Sequence, residues 1–284
     1  MRANQEAAMQ AGAQDLPAGA DPSRPIESPA ALAGRFAQGA PGLAYIKPKV
    51  LFLKTEALYA DPTPLSIHLP PSGIGSISLL EAACLTALSR ILRPRRIFEF
   101  GTFLGYSTSL FLANSEPGCQ VVSVDLGDIS DDLREAADYS DAELRSDDRK
   151  NDNHLRLTQA RLGPLYLRGL SEADRRRLTL LHQDSRTLDT AALGLDGQVD
   201  LVFVDGGHDL ETIASDTAKA RAMLGGSGAI VWHDFNSTIH GEVTRYLAGE
   251  CEQDIIVSVP GTLLAIGLVG AARDAFLAAA VTKG

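Results

Sequence analysis

The stretch Arg95–Thr108, RRIFEFGTFLGYST, limits what this chain can fold into more than any other. Ile97, Phe98 and Phe100 read as a short buried strand carrying an acid, Glu99. Gly101 and Gly105 read as a turn, and Tyr106–Thr108 open a helix. A strand that passes through a glycine turn into a helix is the opening unit of an open α/β sheet, whose ligands bind beyond the carboxyl ends of the strands. Glycine permits that approach, because no Cβ intervenes and positive φ is available. The G-x-G-x-x-G spacing of a dinucleotide site is missing, since Phe103 stands at the middle position, and Glu99 would repel a diphosphate. A nicotinamide or flavin oxidoreductase is disfavoured on that ground.

Later segments repeat the pattern of a strand that delivers an acid. Gln120–Asp125 (QVVSVD) ends in Asp125, about twenty residues past the glycine turn, where nucleotide-binding α/β folds place a carboxylate on ribose hydroxyls. The plainer reading of Asp125 is a cap for the next helix. Leu178–His182 is followed by Gln183, Asp184 and Ser185; Gln198–Asp205 delivers Asp205 next to Gly206-Gly207-His208; Gly228–Trp232 delivers His233, Asp234 and Asn236. Helical spacing covers Ser76–Leu92, Leu210–Leu224 and Gly241–Glu250. Ile255–Val259 and Thr262–Leu268 flank Pro260-Gly261 and read as an antiparallel hairpin.

The net charge of -10 and pI near 5.1 oppose a nucleic-acid or anionic-membrane binder, which needs a positive field to gather phosphates. Cys84, Cys119 and Cys251 are odd in number and widely spaced, so reduced, buried thiols are expected. No apolar leader follows Met1, and the longest apolar run, Thr262–Ala272, is too short to span a bilayer. A cytoplasmic location and no membrane contact are the expectations. His68, His154, His182 and His240 have no supporting neighbours in sequence and read as surface or packing residues; Trp232 reads as core.

The E-x-G-x-x-x-G pattern from Glu99 to Gly105, taken with FVDGGHDLETIASDTAKARAML and GGSGAIVWHDF, resembles the class I S-adenosylmethionine-dependent methyltransferases. The D-G-x-H and H-D pairs after the fourth and fifth strands resemble a bacterial small-molecule subfamily. Leu224-Gly225-Gly226 departs from it, because a proline is usual before the glycine pair. The resemblance covers about the last two thirds of the chain, from the motifs quoted. It implies an α/β fold with a Rossmann-like seven-stranded, mostly parallel sheet, helices on both faces and an antiparallel last strand. The domain reading is a disordered tail over residues 1–40, with an arm over a partner as the alternative, an N-terminal helical or cap segment over 41–92, and the methyltransferase domain over 93–284. Within 41–92, Lys47–Tyr59 suits a strand or a helix. A charged insertion over 127–177, with helices near Asp131–Tyr139 and Leu155–Leu162, is a candidate substrate lid.

The same resemblance implies S-adenosylmethionine as cofactor, held by Glu99, Gly101, Thr102, Gly105, Tyr106, Ser107, Asp125, Asp184, Ser185 and Asp205, with Asp184 and Ser185 on the adenine. Asp205, His208 and His233 are the catalytic candidates, and His208 is the first choice of general base because imidazole titrates near neutrality. The catechol-type O-methyltransferases add a divalent cation; Asp205 and Asp234 match its acids, with Asn236 nearby, and magnesium suits those oxygens better than it suits His233. The expected activity is methylation of a small-molecule acceptor at oxygen. N-methylation, a nucleic-acid substrate and a non-catalytic cofactor-binding partner subunit are the alternatives. The need for a metal and a homo-oligomeric state stay open.

Overall fold

The computed structural model describes residues 26–58, 64–70, 75–126 and 139–278. The longer elements run α1 (Pro29–Gln38), β1 (Gly42–Tyr45), α2 (Pro48–Ala57), α3 (Leu79–Leu92), β2 (Arg96–Phe100), α4 (Tyr106–Asn114) and β3 (Gln120–Asp125). They continue with α5 (Asp148–Leu162), β4 (Leu178–His182), β5 (Leu201–Val204), α6 (Leu210–Leu224), β6 (Gly228–Trp232), α7 (Gly241–Glu250), β7 (Ile255–Ser258), β8 (Ala265–Val269) and α8 (Gly270–Ala278). One sheet takes all eight strands in the order β1-β7-β8-β6-β5-β2-β3-β4. β8 runs antiparallel to both β6 and β7, and the other pairings are parallel.

Side chains alternate along each strand, so the sheet divides its residues between two helix layers. Ile97, Val121, Phe203 and Val231 face the layer of Leu51 (α2), Leu85 and Leu88 (α3), Phe111 (α4) and Phe276 (α8). Phe98, Phe100, Val202 and Trp232 face Ile213 and Met223 of α6 and Leu247 of α7. Strands covered on both faces read as near-continuous apolar runs, which is why β5 (LVFV) and β6 (GAIVW) are buried throughout. Trp232 is core, and its indole N–H donates to Thr217 Oγ1 at 2.9 Å.

The sheet is the expected one with an extra strand. β1 lies in the segment read as a cap and pairs in parallel with β7, residue for residue from Gly42–Ile255 to Tyr45–Ser258. The expectation of a structureless tail to residue 40 does not hold for residues 26–40; residues 1–25 lie outside the described residues. Ser28 accepts from the Ala31 amide, Pro29 opens α1, Gly39 closes it at φ +59°, and Leu32 is buried. Arg35 then fixes the segment by donating to Glu27 Oε1 (2.6 Å) and to the carbonyls of Leu43 (2.8 Å), Ala40 and Pro41. The ambiguous Lys47–Tyr59 forms helix α2 over Pro48–Ala57. In the insertion, the helix expected at Leu155–Leu162 starts earlier, at Asp148. The helix expected near Asp131–Tyr139 falls almost wholly on residues 127–138, outside the described residues.

All three cysteines are free and buried, and burial pushes the Cys84 thiol up to about 12, so it is inert as a nucleophile. Among the described residues no helix is long and apolar enough to cross a membrane.

Candidate active site

β2 pairs with β3 on one side and β5 on the other, so the order of strands reverses there. Ligands of open α/β sheets sit in the crevice outside that reversal. A cavity of about 510 Å³ opens there, lined by Gly101, Asp125, Asp184, Ser185, Asp205, His208, His233 and Asp234 among others. A smaller cavity of about 350 Å³, near Phe36, Ile230 and Gly267, is lined by none of the strand-end acids.

Gly101 has φ +92°, and a Cβ on it would stand 1.9 Å from the Asp205 carbonyl oxygen. The glycine therefore serves the contact between β2 and β5 as well as the cavity wall. Asp125 closes the turn from the other side: its Oδ2 accepts from the Phe103 amide at 2.5 Å and its Oδ1 from the Leu126 amide at 2.7 Å. Phe103 adopts φ +45° to reach it, an uncommon conformation for a non-glycine residue. Burial raises the Asp125 carboxyl above its ordinary range, and the Phe103 and Leu126 amides offset part of that.

Five of the expected cofactor residues lie behind this wall and do not line the cavity. Glu99 shares its face with Ile97 and so points under α4, not outward; it is fully buried. One carboxyl oxygen, Oε2, accepts from Ser123 Oγ at 2.6 Å and from Thr108 Oγ1, while Oε1 has no hydrogen-bond partner. Burial raises this carboxyl to about 7 against the pull of the Ser107, Ser123 and Thr108 hydroxyls. Thr102 bonds Ser123 at 2.6 Å, so Thr102, Ser123, Glu99 and Thr108 form one buried chain beneath the turn. Ser107 is buried beside it. Gly105 caps α4 against Leu167, and the Tyr106 hydroxyl donates to the His68 carbonyl at 2.6 Å.

Asp184 lines the cavity with both carboxylate oxygens engaged by Arg186, the closest at 2.6 Å, and this pairing lowers its pKa. Asp184 also caps the short turn at Ser185–Thr187.

The ends of β5 and β6 bring the catalytic candidates together. Asp234 Oδ2 lies 3.1 Å from His208 Nε2 and 3.1 Å from His233 Nδ1; His233 Nδ1 is also 3.0 Å from Asp205 Oδ1. Asp234 has φ +60°, which turns its carboxylate back between the two rings. Burial alone would lower both imidazoles, but Asp152 and Asp234 hold His208, and Asp234 and Asp205 hold His233, well above the usual range. Burial likewise works against ionised Asp234, yet His233 and His208 keep it well below the ordinary carboxylate value.

Three further residues belong to this cluster and escape a reading of the sequence. Glu81 caps α3 with Ser78, accepts from the Leu263 amide at 2.7 Å, and stands 3.6 Å from His233 Nε2. Burial opposes its ionisation, but His233 and the Ser78 and Leu263 amides bring it down to about 2. Its S-x-x-E capping box, Ser78 to Glu81, was the available signal, although it points only to a helix start. Asp152 of α5 meets His208 Nδ1 at 2.7 Å. His240, read as a packing residue, is buried, bonds Asp148 of α5 at 2.5 Å and stacks on His208 with ring centroids 3.6 Å apart.

The order of strands, the reversed β8 and the acid-lined crevice define a class I, Rossmann-like methyltransferase architecture. Residues 98–235 match the model of a family described as a methyltransferase domain. Similar solved structures include cofactor-bound Rv0187 from MTB, at 17% identity over 86% of this chain and 99% of that one, TM-score 0.45. Another is the S-adenosylhomocysteine-bound methyltransferase PaMTH1 of Podospora anserina, at 14% identity over 87% and 99%, TM-score 0.46. A third is an O-methyltransferase from Bacillus cereus in complex with S-adenosylhomocysteine, at 14% identity over 78% and 89%, TM-score 0.40. No curated protein sequence matches the chain.

Proposed function

We propose that this chain transfers the methyl group of S-adenosylmethionine to an oxygen of a small-molecule acceptor bound at the β5–β6 end of the cavity. The observation that carries this reading is continuity: one cavity joins Asp125 at the end of β3 to Asp205, His208 and Asp234 beyond β5 and β6. In this reading Asp125 accepts from ribose hydroxyls, and Gly101 and Asp205 border the methionine part. The cavity volume of about 510 Å³ suits small ligands.

In the reaction the acceptor oxygen forms a bond to the methyl carbon as the carbon–sulfur bond breaks, and the hydroxyl proton leaves to a base. His208 takes that proton at Nε2 when its ring is neutral and that nitrogen holds no cation. His233, enclosed by Asp205, Asp234 and Glu81, is held as a cation and orients Asp205 and Asp234 toward the cavity. The donor atoms of Asp205, His208 and Asp234 lie within 4.8 Å of one another and fit a divalent cation. Bound by Asp205 and Asp234, such an ion would polarise the acceptor oxygen and lower its pKa.

Calorimetry with S-adenosylhomocysteine tests the cofactor half of the reading. The wild type is expected to bind, and Asp125→Ala to weaken binding on the order of 100-fold, since hydrogen bonds to a charged acceptor are lost. A wild type that does not bind removes the reading.

A further inference from the structure

Asp125, Asp152, Asp184, Asp205 and Asp234 line the cavity, and among these acids stands the half-buried Arg156 of α5. Asp152, four residues earlier on the helix, is the natural partner for that guanidinium, since side chains at this spacing are neighbours. Its carboxylate goes instead to His208 Nδ1, at 2.7 Å. Among the described residues Arg156 makes no hydrogen bond and no ion pair. The other arginine of the lining, Arg186, is taken up by both oxygens of Asp184.

Two contacts fix where Arg156 stands along the sheet edge. Asp152 meets His208, beyond β5, and Gln159 reaches the Asp125 carboxylate at the end of β3. Between them Leu155 packs on Gly75, where a Cβ would lie 2.1 Å from Leu155 Cδ2. Gln159 follows Asp152 by seven positions, which is two turns and about 10 Å of helix, so both point the same way. From β5 to β3 is two strand spacings, also about 10 Å, and the strand between them is β2. Arg156, midway along the same helix face, therefore overhangs the Gly101 turn at the end of β2. In the methyltransferase reading, on which this step rests, that turn borders the methionine part of the cofactor. S-adenosylmethionine brings a sulfonium and an ammonium, which acids suit, and one carboxylate, which they repel. A guanidinium with free donors answers it, because its planar fork matches a carboxylate bidentately. We infer that Arg156 is a cofactor-binding residue, and that its ligand is the carboxylate of the methionine part.

The test compares two nucleosides by calorimetry on the full-length protein: S-adenosylhomocysteine, which carries the carboxylate, and methylthioadenosine, which lacks the amino-acid part. Arg156→Gln is expected to weaken S-adenosylhomocysteine on the order of tenfold or more and to leave methylthioadenosine within about twofold, since hydrogen bonds to a charged group are lost only from the first. Arg156→Lys should recover part of the loss, because it keeps the charge without the fork. Arg149→Gln removes the same charge from an exposed position of α5 and should change neither affinity. An equal fall for both nucleosides in Arg156→Gln would overturn the inference by making the residue only a support for α5. Unchanged binding of both would overturn it too, as would an equal loss in Arg149→Gln, which would reduce the effect to the general field of the helix. A third contrary result is S-adenosylhomocysteine binding unchanged, with benzoate bound by the loaded wild type and not by loaded Arg156→Gln; the guanidinium would then serve a carboxylate on the acceptor. Wild type that binds neither nucleoside would remove the methyltransferase reading itself, and this inference with it.

Discussion

Gly101 and Asp205 touch backbone to backbone: the position of a Cβ on Gly101 lies 1.9 Å from the Asp205 carbonyl oxygen. No rotamer change relieves a clash with a carbonyl, and φ +92° is strained for any residue with a side chain. Gly101→Ala is expected to lose more than about 2 kcal/mol of folding stability and to abolish cofactor binding, because Asp205 must move. Gly118 has open space around its Cβ position, so Gly118→Ala serves as the control and should change stability by less than about 0.5 kcal/mol. Urea unfolding of both variants checks this; equal stabilities would mean the β2–β5 contact does not constrain the turn.

Glu99 gives folding stability a pH dependence of definite sign. Its carboxyl is raised to about 7 in the folded state by burial, so the native protein binds a proton that the unfolded chain has released. Stability from this group is present below its unfolded value of about 4.5 and is lost as pH rises toward 7. Glu99→Gln keeps an oxygen for Thr108 and Ser123 and cannot ionise. The stability difference between variant and wild type is expected to move in the variant's favour by on the order of 2–3 kcal/mol between about pH 5 and pH 8. Denaturant unfolding at the two pH values measures it, and a constant difference would place the ionised carboxylate in a better-solvated site than the burial implies.

The sequence carried the frame of the molecule in its punctuation. β3, β4 and β6 and helices α6 and α7 lie where their buried or amphipathic runs and bounding glycines put them. What escaped was long-range or directional. Four residues, GLAY, are too few to show a period, so β1 was invisible. Glu99 was placed at the cavity because it nears a strand end; the two-residue alternation that sends Phe98 and Phe100 to the α6–α7 layer sends Glu99 under α4. His240 and Asp148 stand 92 positions apart, and nothing local in either announces the other. Ser28-Pro29 and Gly39 did mark the start and stop of α1, but a composition rich in alanine and glycine outweighed them.

Asp234 extends the same loss of stability with rising pH to a higher range. It keeps His208 and His233 well above their unfolded value near 6.5, so their contribution is complete below about pH 6.5 and is lost as pH rises through the folded values. Wild type is therefore expected to lose stability on the alkaline side of neutrality, above the window in which Glu99 acts. Asp234→Asn suits the left-handed backbone at φ +60°, since asparagine tolerates it, and removes the shared charge. The variant should be less stable than wild type by about 3–5 kcal/mol near pH 6, as expected for breaking a buried ion pair, and the gap should narrow toward pH 9. A gap that stays constant with pH would show that the two imidazoles are not charged through Asp234.

The last prediction concerns which cation the β5–β6 end prefers. Asp205 and Asp234 offer oxygens, and His208 adds an imidazole nitrogen within 4.8 Å of both. Magnesium binds through oxygen and water and gains little from a nitrogen donor, whereas manganese and zinc accept imidazole readily. Manganese is therefore expected to bind the S-adenosylhomocysteine-loaded protein more tightly than magnesium by about tenfold. Asp205→Asn should abolish binding of both ions, while Asp148→Asn, whose carboxylate faces His240 instead, should leave them unchanged. Electron paramagnetic resonance of free and bound manganese measures the affinities directly. Retention of manganese by Asp205→Asn, with its loss in Asp148→Asn, would move the ion away from the strand ends and onto the Asp148, Asp152, His208 and His240 group, whose donor atoms also converge within 4.8 Å.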